Sequence, residues 1–158
     1  MEYRKNKNRG YKTLRVWQDA KELYLLTYKI YKNFPYELRR LTSNQIASVD
    51  SIHRNIAKGN CRCSVNEYLR FLDIALSSLG ESVSSTHVYY EAGHISEEDF
   101  ERWDALAFKL EIGLIRLIAK LQYKKKKGDW DDQFLAEEPT VSYGGKTVDF
   151  QFGALSCN

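Results

Sequence analysis

Lysine and arginine gather at two places in this chain: Arg4, Lys5, Lys7, Arg9, Lys12 and Arg15 near the start, and the unbroken run Lys124, Lys125, Lys126 and Lys127. Closely spaced cations do not break bonds by themselves; they displace the counterions condensed on a polyanion, so the chemistry on offer is binding to a phosphate backbone. Tyr3 and Tyr11 interleave with the first cluster, where an aromatic face can stack on an exposed base. No RNP aromatic pair, zinc finger or recognition-helix pattern accompanies them, so recognition by charge and shape is expected rather than base reading.

Other chemistries find less support. His53, His87 and His94 show no i, i+4 pairing with one another, which argues against a ferritin-like metal centre. Cys61-Arg62-Cys63 has the wrong spacing for a C-x2-C zinc half-site, and with Cys157 the cysteines number three, an odd set that reads as free thiols in a reducing compartment. No local nucleophile signature is present. The expectation is no catalytic residue, no metal and no cofactor.

The net charge of +3 conceals a division. All but one of the 24 Lys and Arg fall within residues 1–127, together with 15 of the 21 Asp and Glu, so that part carries about +8. Residues 128–158 carry about −5, from Asp129, Asp131, Asp132, Glu137, Glu138 and Asp149 against Lys146. At 158 residues a single domain is expected. No apolar run has the roughly 20 residues of a membrane span, and no signal-peptide core follows the charged start, so the chain reads as cytoplasmic with no membrane partner.

The elements that must position these cations are helices. Trp17, Ala20, Tyr24, Thr27 and Tyr31 recur at three and four residues over about 14–34, and Pro35 stops that helix. A second, over about 36–58, carries Leu38, Leu41, Gln45, Val49, Ile52 and Ile56 on one stripe, with Gly59 as its expected left-handed C-terminal cap. Ser64-Val65-Asn66-Glu67 has the form of a capping box opening a third helix, with Tyr68, Leu72, Ala75, Leu76, Leu79, Val83, Thr86 and Tyr90 along its core face and an end near Gly93. Ser96 caps a fourth, with Glu97, Glu98 and Asp99 at its positive dipole end and the four lysines at its negative end before Gly128. Short connections between helices this long predict an all-α fold, an up-down-up-down antiparallel four-helix bundle over 14–127. A basic extension (1–13) precedes it and a non-helical acidic tail (128–158) follows.

The fourth helix is apolar twice over. Trp103, Leu106, Ala107, Leu110, Leu114, Leu117 and Leu121 fill a core stripe, while Ala105, Phe108, Ile112, Ile115 and Ala119 fall on the opposite side, where a lone bundle should be polar. The second stripe is read as an oligomer interface, the alternative being cover by the tail. In the tail, Thr140 to Tyr143 and Lys146 to Gln151 flank Gly144-Gly145, a hairpin signal. Trp130, Phe134, Phe150 and Phe152 suit a segment that is either disordered or docked.

From Leu14 to about Gln122 the chain resembles the 23S rRNA intervening-sequence protein family of small four-helix bundles. The resemblance rests on Val16-Trp17-Gln18-Asp19-Ala20, Asn33-Phe34-Pro35, Ser51-Ile52, Asn55-Ile56-Ala57-Lys58-Gly59, Arg62, Ser64, Glu67-Tyr68, Phe71-Leu72, Ile74-Ala75 and Ser78-Leu79-Gly80-Glu81. The family pattern has an acid where this chain has Lys58 and a basic pair where it has Ile46-Ala47. The resemblance implies a homo-oligomeric ring, a pentamer, with no enzymatic activity. At the level of fold the chain is also similar to the accessory proteins of diversity-generating retroelements, basic pentamers that bind nucleic acid and a reverse transcriptase.

In an up-down-up-down bundle the start of the first helix, the end of the fourth and the turn bearing Lys58 and Arg62 share one end. Glu91, Glu97, Glu98, Asp99 and Glu101, with Arg39 and Arg40, share the other. The expected partners are a second copy of the chain and nucleic acid, RNA ahead of DNA; the alternative is a protein-interaction adaptor whose partner is another protein. Gln45 and Asn55, polar on a core stripe, are expected to fix register by hydrogen bonds across helices rather than to line a ligand site. Gly80 is expected to permit close helix approach, and Glu81 to pair with Arg54 or another base.

Overall fold

Pro35, Gly93 and the stretch from Cys61 to Ser64 interrupt the helical periodicity, and the chain reverses at each. The computed structural model describes residues 7–128 and the strand residues 141–143 and 146–148, with side chains from Arg9 to Gly128. Four helices result: α1 (Arg15–Tyr31), α2 (Arg39–Asn60), α3 (Val65–Glu91) and α4 (Glu97–Lys127). Each packs on its two neighbours in a closed square, α1 on α2, α2 on α3, α3 on α4 and α4 on α1, which is the antiparallel bundle expected. Its core holds Leu23, Ile52, Leu72, Leu79, Trp103, Leu110 and Leu114, each side chain worth roughly 1.5–3 kcal/mol on burial.

The terminators work differently from one another. Ser96 Oγ accepts from the Asp99 amide at 3.2 Å, the expected cap of α4. Gly93 and Gly128 take the left-handed conformation (φ 78° and 69°) that lets a helix end without a Cβ clash. Ser64 stands at the N-cap of α3 but its side chain makes no capping bond, so the capping box is not formed. Gly59 is not a left-handed cap either: it lies inside α2, buried, and a Cβ there would come within 2.6 Å of the Tyr68 ring. Its role is to let α3 approach.

Three further expectations shift. A 3₁₀ turn, Tyr36–Leu38, precedes α2, because the chain leaving Pro35 must bend before it can propagate. In α1 the core stripe is rotated toward Val16, Leu23 and Ile30, leaving Trp17 and Tyr24 half-buried at its edge. Within the basic extension, Lys7–Thr13 forms a 3₁₀ segment that packs on α2 and on the start of α1. The tail hairpin is present as β1 (Val141–Tyr143) and β2 (Lys146–Val148), antiparallel with Ser142 opposite Thr147. The rest of the tail, Trp130, Phe134 and Cys157 included, lies outside the described residues.

Candidate nucleic-acid interface

The register of α1 on α4 sets where each cation stands. Thr27 meets Trp103, Asp19 meets Lys109, and a Cβ on Gly113 would touch the Val16 side chain at 2.9 Å. Arg15, the first residue of α1, is therefore level with the middle of α4. From Arg116 onward α4 runs past the start of α1, and Arg116 to Lys127 spans about 16 Å at the 1.5 Å rise of a helix. The 3₁₀ segment does not fill the gap; it turns toward the end of α2, where Gly10 lies beside Asn60.

Antiparallel order thus puts the 3₁₀ segment, the α2–α3 turn and the end of α4 at one end of the bundle, but not as one flat cluster. Arg9 and Lys12 are exposed beside the end of α2, with Lys58 and Arg62 exposed close by. The Arg62 guanidinium lies over the Phe71 ring, 5.0 Å from its centroid. Arg15 is exposed near Lys109. Lys124 to Lys127 are all exposed, yet successive residues of a helix diverge by about 100°, so the four ammonium groups radiate around α4. Arg4 and Lys5 fall outside the described residues, as do the Lys7 side chain and Tyr3. Tyr11 packs on Trp17 with ring centroids 5.3 Å apart, which takes it from the role of a free stacking surface.

Among the described residues none of these cations pairs with a carboxylate. Among the same residues His53 and His87 hydrogen-bond to Asp50 and Asp104, and the ion pairs are Arg54 to Asp50 and Lys109 to Asp19 at 2.7 Å. The last raises the Lys109 pKa, chiefly through the hydrogen bond that its ammonium donates to the nearly buried Asp19 carboxylate. At the other end Glu91, Glu97, Glu98 and Glu101 are exposed and Asp99 half-buried, with Arg39 stacked over Tyr36 at 4.1 Å.

Three residues escaped the sequence reading. Arg116, Lys120 and Tyr123 are exposed and, with Lys127, occupy positions i, i+4, i+7 and i+11 on one face of α4. Their signal in the sequence is the helical spacing, which the run of consecutive lysines masks. Of the stripe assigned to an oligomer interface, Phe108 (63 %) and Ile115 (47 %) are exposed along with Ala105 and Ala119, while Ile112 is half-buried.

The polar residues of the core resolve individually. Gln45 Nε2 donates to Ser82 O (3.0 Å) and Thr86 Oγ1 (2.9 Å), binding α2 to α3. Asn55 instead bonds within its own helix, to Ser51 O and Oγ at 2.8 and 2.9 Å. Glu81 is exposed and, among the described residues, makes no ion pair, Arg54 being paired with Asp50 one turn away, and a Cβ on Gly80 would meet nothing within 4 Å. Among the described residues no three His, Cys, Asp or Glu side chains converge as a metal site, and no helix is long and apolar enough to cross a membrane.

Fold and surface together define a helical bundle with a polar internal lock and, at one end, exposed cations with no carboxylate partner among the described residues. The family model of the 23S rRNA-intervening sequence proteins matches residues 12–116, about two thirds of the chain, and the chain belongs to that family. No curated protein matches it. Within the matched segment Asp19 anchors Lys109, Phe34 stacks on Tyr31 at 4.6 Å, and Gly59 receives Tyr68.

Proposed function

We propose that this protein is a homo-oligomeric helical bundle that binds nucleic acid, RNA in preference to DNA, through the cationic end of the bundle. One observation carries the reading: the cations at that end are exposed and, among the described residues, free of carboxylate partners, while acids collect at the other end. Surface cations that solve no problem of folding are free to exchange small counterions for a phosphate backbone. The exposed stripe through Phe108 and Ile115 supports assembly, five copies being the number the family resemblance implies. Copies pointing one way would add their cationic ends into one field.

The test is fluorescence anisotropy of a labelled RNA oligonucleotide titrated with the full chain across a range of salt. Changing Lys124 to Lys127 to Gln should weaken binding and flatten the dependence of log K on log salt. Ending the chain at Lys127 removes about five net negative charges and should strengthen binding. Equal affinity in both variants overturns the reading.

The same exposed stripe favours a second reading, an adaptor whose apolar face receives another protein. A stoichiometric protein partner that stays bound through nuclease treatment selects it.

A further inference from the structure

We infer that the overhanging part of α4 is itself the ligand surface, and that it takes a single strand with unstacked bases, laid along Arg116, Lys120, Tyr123 and Lys127. The inference rests on the nucleic-acid reading above and narrows it from an end of the bundle to one helix face and one class of ligand. Residues at i, i+4, i+7 and i+11 share a face within about 60° of arc. All four side chains are exposed, on the side of α4 turned away from its Trp103, Leu110, Leu114 and Leu121 core stripe.

From Ile112 to Gly128 the sequence has no acidic residue. Lys109, one turn above Gly113, is held by Asp19, so the unopposed cations begin just where the overhang does. Tyr123 interrupts the row. It is 58 % exposed, and Lys127 Nζ stands 4.8 Å from its ring centroid. Cations spaced along a path with an aromatic face between them suit a strand whose phosphates take the charges while a base stacks on the ring. A duplex keeps its bases stacked inside and gains only the charge term. Lys120, Tyr123 and Lys127 lie beyond the segment that the family model matches.

The experiment compares a fluorescein-labelled 12-nucleotide oligouridylate with a labelled 12-base-pair RNA duplex, using the full chain. Both probes are titrated against wild type, Tyr123→Ala, Tyr123→Phe and the double variant Arg116→Gln/Lys120→Gln. Tyr123→Ala should weaken oligouridylate binding about tenfold, leave duplex binding unchanged, and be rescued by Tyr123→Phe. The double variant should lower the salt slope for oligouridylate by about 1.4, two contacts at roughly 0.7 each. If wild type binds oligouridylate and these variants match it, the α4 face is not the surface and only this inference falls. Equal losses on both probes for Tyr123→Ala refute the single-strand assignment. Wild type that binds neither probe removes the nucleic-acid reading and this inference with it.

Discussion

Trp103 Nε1 donates to Thr27 Oγ1 at 2.8 Å, with both side chains fully buried between α4 and α1. Thr27 Oγ1 in turn donates its hydrogen bond to Leu23 O at 2.7 Å, so the hydroxyl both donates and accepts. A parallel chain runs through Tyr31 OH, Thr86 Oγ1 (3.0 Å) and Gln45 Nε2, and the two chains between them link all four helices. Buried polar groups satisfied in this way select one register of the bundle, because any slip leaves them unpaired in an apolar core. Thr27→Val keeps the volume and strands the indole N–H, and should cost about 1–3 kcal/mol in urea unfolding. Adding Trp103→Phe removes the orphan donor, so the double variant should lose less than the sum of the singles. Strict additivity would show that the bond contributes nothing.

Two glycines make opposite predictions. Gly59→Ala places a methyl 2.6 Å from the Tyr68 ring and 3.1 Å from Phe71 Cβ, and should destabilise by about 1–3 kcal/mol as α2 and α3 are pushed apart. Gly80→Ala meets nothing within 4 Å on an exposed helix face, and should stabilise by up to about 1 kcal/mol. Denaturation midpoints of the two variants should move in opposite directions.

This contrast marks what the sequence made legible. Periodicity located all four helices and the α4 core stripe because burial imposes the repeat directly. It missed the role of Gly59, since a glycine at a helix end and one inside a tight crossing have the same sequence signature; only the neighbouring ring separates them. The Gln45 bond across helices was expected and is found, whereas Asn55, on the same stripe, closes on Ser51 in its own helix. The cationic surface was read from residues adjacent in sequence, but register governs it. Arg15 and Lys124 share an end in topology yet stand more than a dozen ångströms apart along the axis, because α4 outruns α1 by about 16 Å.

The α4 stripe predicts assembly. Asp104 and Glu111 border it along one edge and Arg102 and Lys109 along the other. Helix faces packed in parallel bring unlike edges together, and antiparallel packing brings like edges together, so the charges favour copies that point the same way. Ile112→Glu/Ile115→Glu should yield monomers by light scattering, with helical content retained. Unchanged mass in this variant means that the stripe is not the interface.

Alkaline stability should report on the buried lock. Burial pushes the Tyr31 phenol up to about 12 from its ordinary 10.0, with the Thr86 hydrogen bond pulling weakly the other way. The folded state therefore holds the proton more tightly than the unfolded chain. The stabilisation is complete below pH 10 and is lost as the pH rises toward 12, on the order of 2–3 kcal/mol at roughly 1.4 kcal/mol per unit. Burial raises Tyr68 as well, so some loss persists without Tyr31. Tyr31→Phe gives up the bond to Thr86 and should be less stable at neutral pH, but its stability should decline less steeply between pH 10 and 12. Urea midpoints for both proteins across that window provide the check, and parallel curves would show that Tyr31 is not the group titrating.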